Sequence, residues 1–302
     1  GAIHPHALTI PAKPGSFPRK ERGIKMQGAK HWGPALVVLA SLWAGVAPVW
    51  AETPPVAYVD LKFSLVRKGL DKDFVNRTFT DPRNSFLPDV VRKIAYLRKE
   101  SPDIYEKFLR PEVVAQGRTY LAEHRRTLNR AEAQYGVAPE AIVAILTVES
   151  GLGNITGKYP VFNVFASLAV MDKPEIIREV GLSPGLADRL KKKANWGRQE
   201  LYVFLDYCCS HRLDPYSFNG SWAGAMGFCQ FLPSSLRSCG VDGDGDGRVD
   251  LFTHDDAICS IANYLHKSGF QRQNRASWRR AVYSYNHSDA YVDTVLTLAS
   301  WY

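Results

Sequence analysis

Glu149 stands at the end of the most apolar stretch of the 302-residue chain, Ala141-Ile142-Val143-Ala144-Ile145-Leu146 followed by Val148. At helical spacing it shares a face with Ile142 and Ile145. Burial and the negative end of a helix dipole both disfavour a charged carboxyl there. A carboxyl kept protonated near neutral pH can act as a general acid. Taken singly, the residue also fits a solvated Glu at a fraying helix end.

Gly220-Ser221-Trp222-Ala223-Gly224-Ala225-Met226-Gly227-Phe228-Cys229-Gln230-Phe231 is a second constellation. Its three glycines let backbone come close to a ligand. No Gly-Lys-Ser/Thr follows and no strand pattern precedes it, so neither a phosphate loop nor a dinucleotide fold is indicated. Interleaved Trp, Phe, Met and Gln suit a groove that stacks on sugar faces and hydrogen-bonds hydroxyl or acetamido groups. A plain glycine-rich turn has the same composition.

Asp242-Gly243-Asp244-Gly245-Asp246-Gly247-Arg248-Val249-Asp250 places acidic residues at loop positions one, three and five, Gly at six and an apolar residue at eight. This is the opening of an EF-hand calcium loop. Carboxylates this dense repel one another unless a cation sits among them. Thr253 occupies position twelve, where a Glu is usual, and Asp255 or Asp256 could supply the closing ligand. The last constellation is Tyr283-Ser284-Tyr285-Asn286-His287-Ser288, with Tyr291 shortly after. By itself it reads as an aromatic helix end packed in a core.

The elements that must position these residues are helical. Apolar spacing predicts helices over Val90–Glu100, from Pro111 to a stop at Gly136, over Ala138–Ser150, Val161–Met171, Pro184–Asp206, Asp256–Ser268 and Ser277–Tyr285, and finally over Tyr291–Trp301. From Glu52 to about Arg110, short helical patterns alternate with Pro and Asn breaks. No run of two-residue alternation forces a sheet, so the predicted class is all-α or nearly so.

Composition narrows the function classes. With 45% hydrophobic residues and 12% aromatic, the chain is not mostly disordered. The formal charge of +8 is concentrated in residues 1–51, where six Lys+Arg face one acidic residue. Residues 52–302 hold the remaining 32 against 29, or +3, which is a weak nucleic-acid footprint.

Residues 1–25 read as unstructured leader, and Met26 opens a secretory-signal pattern. Lys25 and Lys30 are followed by the apolar run Trp32–Ala47, with cleavage expected after Ala51. The run is short for a transmembrane anchor and is interrupted by Gly33, Pro34 and Gly45. Export to the periplasm or medium would permit disulfides. The cysteines are Cys208, Cys209, Cys229, Cys239 and Cys259, with no Cys-x-x-Cys pair. A Cys239–Cys259 bridge would clamp the acidic loop; alternatives are buried thiols, or Cys229 paired with Cys208 or Cys209.

In this order the constellations resemble the lytic murein transglycosylases, most closely the B-type family with an EF-hand-like loop. Glu149-Ser150 resembles the family's Glu-Ser, and Gly227-Phe228-Cys229-Gln230 its Gly-Leu-Met-Gln element. Ala262-Asn263-Tyr264 and Tyr285-Asn286 resemble its Ala-Asn-Tyr and Tyr-Asn elements. Gly157 to Ala169 is similar to the segment after the acid. Cys229 stands where Pro, Gly or Met is usual.

The resemblance implies a lysozyme-like catalytic domain over 111–302, preceded by a helical segment over 52–110. It implies cleavage of the β-1,4 bond between N-acetylmuramic acid and N-acetylglucosamine, leaving 1,6-anhydro ends. Glu149 would be the catalytic acid and then base. Ser150, Ser221, Gln230, Tyr264, Tyr285, Asn286 and Tyr291 would bind and position the glycan. Calcium at Asp242, Asp244, Asp246, the Arg248 carbonyl and Asp256 would be structural, with no organic cofactor. The expected partner is the peptidoglycan glycan strand, bound by a monomer with no nucleic acid and no stable membrane anchor. The rival readings are a hydrolytic muramidase on the same fold and a non-catalytic, calcium-dependent wall-binding protein.

Overall fold

Thirteen α-helices are present among the residues that the computed structural model describes, 55–98 and 101–302. The leader and signal-peptide expectations lie outside those residues. In chain order the helices are α1 (Ala57–Arg67), α2 (Lys72–Thr80), α3 (Pro88–Ala95), α4 (Pro111–Glu123), α5 (Arg125–Tyr135), α6 (Pro139–Ser150), α7 (Val161–Ala169), α8 (Pro174–Val180), α9 (Ala187–His211), α10 (Pro233–Cys239), α11 (His254–Lys267), α12 (Arg275–Tyr285) and α13 (Asp289–Trp301). The one described sheet is a two-residue antiparallel ribbon, β1 (Tyr159–Pro160) with β2 (Asn219–Gly220), in register Tyr159 opposite Gly220. No described helix is long and apolar enough to cross a membrane.

Local chemistry sets the boundaries that matter for the site. Pro139 at the first turn of α6 gives up an N–H that has no intrahelical acceptor there. Gly151 ends α6 in the left-handed region (φ 56°), where a Cβ would be strained. Ser288 caps α13 through its side chain, accepting the Tyr291 N–H at 3.4 Å, and so fixes the turn that presents Tyr291. Asp71, Thr253 and Asn274 cap α2, α11 and α12 in the same way.

Helix α6 is buried from Ala141 to Ser150 and is surrounded by α4, α5, α11 and α13. Burial on all sides is what an uninterrupted apolar run demands. Helices α7 and α9 pack on each other and on α3, and α10 links α9 to α11. The segment before residue 110 shares this core: the Leu87 N–H donates to Ser167 Oγ at 2.9 Å, and the Tyr105 ring meets the Tyr291 ring edge-on at 6.0 Å.

Three expectations differ from the structure. The helix expected over Val90–Glu100 ends at Ala95, with Tyr96 as its C-cap. The helix expected from Pro111 to Gly136 breaks at His124 (φ −101°, ψ 17°) into α4 and α5. There the His124 ring stacks between Tyr120, 4.1 Å away, and His254, 4.4 Å away, so a tertiary contact bends a locally continuous pattern. The Cys239–Cys259 bridge is not formed. All five cysteines are free thiols, and every one except Cys209 is buried, as small apolar side chains are.

Candidate active site and acidic loop

Glu149 is 2% exposed at the C-terminal end of α6. The Tyr291 hydroxyl donates to its Oε1 at 2.6 Å, a short hydrogen bond. Burial pushes the Tyr291 phenol well above its usual range, with the nearby Glu149 charge adding to the effect. Burial does the same for Tyr285, helped by Cys229 and Glu149. Both phenols therefore stay protonated and act as hydrogen-bond donors.

The glycine-rich segment lies against this helix end. Ser150 Oγ donates to the Phe228 carbonyl at 2.7 Å and accepts the Gly153 N–H at 3.0 Å. The Tyr285 hydroxyl donates to the Cys229 carbonyl at 2.6 Å. Gln230 Nε2 donates to the Thr156 carbonyl at 3.2 Å and to Gly227 at 2.8 Å. Gln230 has φ 50°, a costly conformation for a residue with a Cβ, imposed by the tight turn after Gly227. Burial raises the Cys229 thiol pKa far above its usual value, so this cysteine stays a neutral packing group.

The predicted site residues thus fall into two sets. Glu149, Tyr285 and Tyr291 are brought together, with Asn286 buried at the end of α12 and Tyr264 half-buried beside them. The Tyr264 and Tyr285 rings meet at 4.8 Å, and the Tyr264 hydroxyl donates to the Ser284 carbonyl at 2.7 Å. Ser150 and Ser221, expected to bind glycan, also hydrogen-bond the scaffold. Ser221 Oγ accepts the Ala223 and Ala225 N–H groups at 3.3 and 3.1 Å, closing the turn from within. Gln230 likewise spends its amide nitrogen on backbone.

The acidic loop folds over the start of α11. Asp242, Asp244 and Asp256 bring carboxylate oxygens within 4.8 Å of one another. Asp242 is held by the N–H groups of Gly245 and Gly247, which keep its carboxyl below the usual range. Buried Asp256 accepts from the Gly243 N–H at 2.7 Å and the Asp250 N–H at 2.6 Å, and burial pushes its pKa up. Asp246 lies outside this group and caps the Arg248 N–H at 2.8 Å. The choice between Asp255 and Asp256 falls to Asp256, because Asp255 accepts from Thr127 Oγ1 at 2.7 Å instead.

Two features had no sequence signal strong enough to find them. Glu200, buried on α9, accepts the Ser234 N–H at 2.9 Å and the Ser234 hydroxyl at 2.7 Å, tying down the start of α10 just after the glycine-rich segment. The His254 ring, which accepts or donates at 2.9 Å with the Tyr120 hydroxyl, stacks on Phe228 at 4.8 Å. A surface cavity of about 810 Å³ between α1, α9 and the end of α7 is lined by Asp60, Phe63, Asp172, Lys173 and Arg198, away from Glu149.

Residues 57–282 match the profile of the transglycosylase SLT domain. Over 172 residues the chain is 33% identical to the membrane-bound lytic murein transglycosylase B of Escherichia coli (strain K12), a match covering 57% of this chain and 43% of that protein. The chain thus spans less than half the length of that curated relative. Its fold is that of the E. coli lytic transglycosylase SLT35, solved with bulgecin A and also with calcium; each has TM-score 0.68 and 24% identity over 82% of this chain and 93% of that one. SltB1 of Pseudomonas aeruginosa superposes equally, with TM-score 0.68 and 24% identity over 82% of this chain and 98% of that one. With the profile covering most of its length, this chain belongs to the transglycosylase SLT domain family.

Proposed function

We propose that the chain is a peptidoglycan lytic transglycosylase that cleaves between N-acetylmuramic acid and N-acetylglucosamine. The observation that carries this reading is the Glu149 carboxyl, buried at the end of α6, held by the Tyr291 hydroxyl at 2.6 Å and placed beside the glycine-rich segment. The Tyr291 and Tyr285 phenols lie beside it, a setting that suits one carboxyl acting first as acid and then as base.

Glu149 would protonate the glycosidic oxygen as the bond to C1 breaks. The same carboxylate, now ionised and steadied by Tyr291, would take the proton of the muramoyl C6 hydroxyl as that oxygen bonds to C1. Proton and electron pairs balance without water, and the product end is a 1,6-anhydro sugar. Asn286 and the Tyr264 and Tyr285 rings would line the glycan path. Ser150, Ser221 and Gln230 would hold the loop that forms its floor.

The acidic loop would hold a structural calcium ion. Asp242, Asp244 and Asp256 supply hard oxygen donors at mutual distances that fit one cation. The Asp246 side chain and the Arg248 carbonyl are the further ligands that the loop pattern supports. The ion would supply charge neutralisation and loop order, with no part in the bond cleavage. The apolar run Trp32–Ala47 supports action in the periplasm or outside the cell. The solved relatives carry bulgecin A and, in SltB3 of P. aeruginosa, a NAG-anhNAM-pentapeptide, which supports a glycan-strand ligand here.

Digestion of purified peptidoglycan, followed by mass analysis of the muropeptide ends, tests the reading. Anhydro ends are expected. Reducing ends would mean a hydrolase, and no cleavage would mean a wall-binding protein.

A further inference from the structure

Phe228 links the acidic loop to the acid-bearing helix through its own backbone. The Phe228 N–H donates to the Leu251 carbonyl at 2.7 Å, and the Phe228 carbonyl accepts Ser150 Oγ at 2.7 Å. Leu251 follows Asp250, whose N–H is held by Asp256 Oδ2 at 2.6 Å. Ser150 follows Glu149. Three hydrogen bonds and short covalent steps therefore join a carboxylate of the acidic loop to the residue that adjoins the acid.

The junction has no slack. A Cβ on Gly227 (φ 69°) would overlap both the side chain and the carbonyl of Leu251, so the two backbones are already in contact. The Phe228 ring packs on His254 at 4.8 Å, on Phe252 at 6.4 Å, and against the backbone of Gly153, where a Cβ would sit 3.1 Å from the ring. Close-packed groups transmit a displacement rather than absorb it. The acidic loop has reason to move, because three carboxylates within 4.8 Å repel unless a cation neutralises them.

We propose that Phe228 couples the acidic loop to the glycan groove. A divalent cation among Asp242, Asp244 and Asp256 tightens glycan binding beside Glu149, and bound glycan tightens the loop on its cation. The coupling rests on the two-site reading given above, and by linkage the two effects are equal in size. Phe228 is a positioning residue: its ring, packed on His254, Phe252 and Gly153, holds in place the backbone that bonds to Ser150 and Leu251.

The test uses the Glu149→Gln variant, which should bind without turnover, and a tetramer of N-acetylglucosamine as the glycan probe. Calorimetry measures tetramer affinity with calcium and with chelator, then calcium affinity with and without saturating tetramer. Both ratios should agree at about 5-fold or more, the low end of typical coupling. Adding Phe228→Ala should bring both ratios towards one while calcium still raises the melting temperature, and Phe228→Leu should restore part of the coupling. If both ligands bind but ignore each other, the coupling is overturned and the two-site reading stands. Full coupling in Phe228→Ala overturns the role of this residue. If calcium or the tetramer fails to bind at all, the functional reading falls and takes the coupling with it.

Discussion

Tyr291 donates its hydroxyl hydrogen to Glu149 across 142 residues of sequence, at 2.6 Å. The two come from α13 and α6, which pack directly against each other, and Ser288 fixes the turn that delivers the tyrosine. Neither partner reaches solvent to a useful extent, so the bond is made in a low-dielectric setting where it is worth more than at the surface.

Replacing Glu149 by Gln removes the proton donor and acceptor while keeping the shape of the side chain. Turnover on peptidoglycan should fall by about 10²- to 10⁴-fold or more, with glycan binding and melting temperature near those of the wild type. Lysis assays beside calorimetric binding check both halves. Wall lysis at the normal rate would remove Glu149 from its role.

Tyr291→Phe should separate the roles of the two residues. The hydroxyl steadies the carboxylate that forms once the proton has passed to the glycosidic oxygen. A hydrogen bond to a charged group contributes about 1.5–3 kcal/mol, and its loss should lower kcat by about 10- to 100-fold with KM little changed. Steady-state kinetics on purified peptidoglycan checks this, and an unchanged kcat would mean that the bond does not support the acid.

The apolar run that ends at Glu149 made α6 legible, and the acidic spacing made the calcium-type loop legible, because both are local patterns. The resemblance pointed to Tyr285 and Tyr291, but nothing local says that Tyr291 reaches Glu149 or that Tyr285 reaches the Cys229 carbonyl. The backbone bonds of Ser150 and Ser221 were equally out of reach of the sequence, because only the fold brings the Phe228 carbonyl and the Ala223 and Ala225 N–H groups to these hydroxyls. The break at His124 carries no Pro or Gly, since its cause is the His254 ring, more than a hundred residues away. Short helices such as α8 and α10 also escaped, since seven residues give too little periodicity to read.

Calcium should raise the melting temperature, and Asp242→Ala with Asp244→Ala should abolish the rise. Extracellular sites of this kind bind at about 10⁻⁴–10⁻³ M. Millimolar calcium is then about 1 to 10 times the dissociation constant, which stabilises by about 0.4–1.4 kcal/mol and should raise the melting temperature by about 1–5 °C. Asp246→Ala alone should keep part of it, because Asp246 lies outside the close carboxylate group. Thermal melts in calcium and in chelator decide. Identical curves would remove the ion from the loop.

Glu200 predicts a pH dependence of stability. Its carboxyl is buried on α9, and burial raises its pKa above the usual value of 4.5, with the two Ser234 bonds opposing that rise in part. A carboxyl raised in the fold keeps its proton where the unfolded chain has lost it. The native state therefore binds more protons in the window just above 4.5, and the contribution of this group to stability falls as pH rises through that window. Glu200→Gln keeps an acceptor for the Ser234 N–H and a donor for its hydroxyl, but it cannot ionise. The variant should lose less stability than the wild type between pH 4.5 and neutrality, whereas Glu200→Ala should destabilise at every pH by about 1–3 kcal/mol through the unsatisfied Ser234 groups. Paired denaturant melts across that range measure the difference. Parallel wild-type and Gln curves would mean that Glu200 does not titrate in this window.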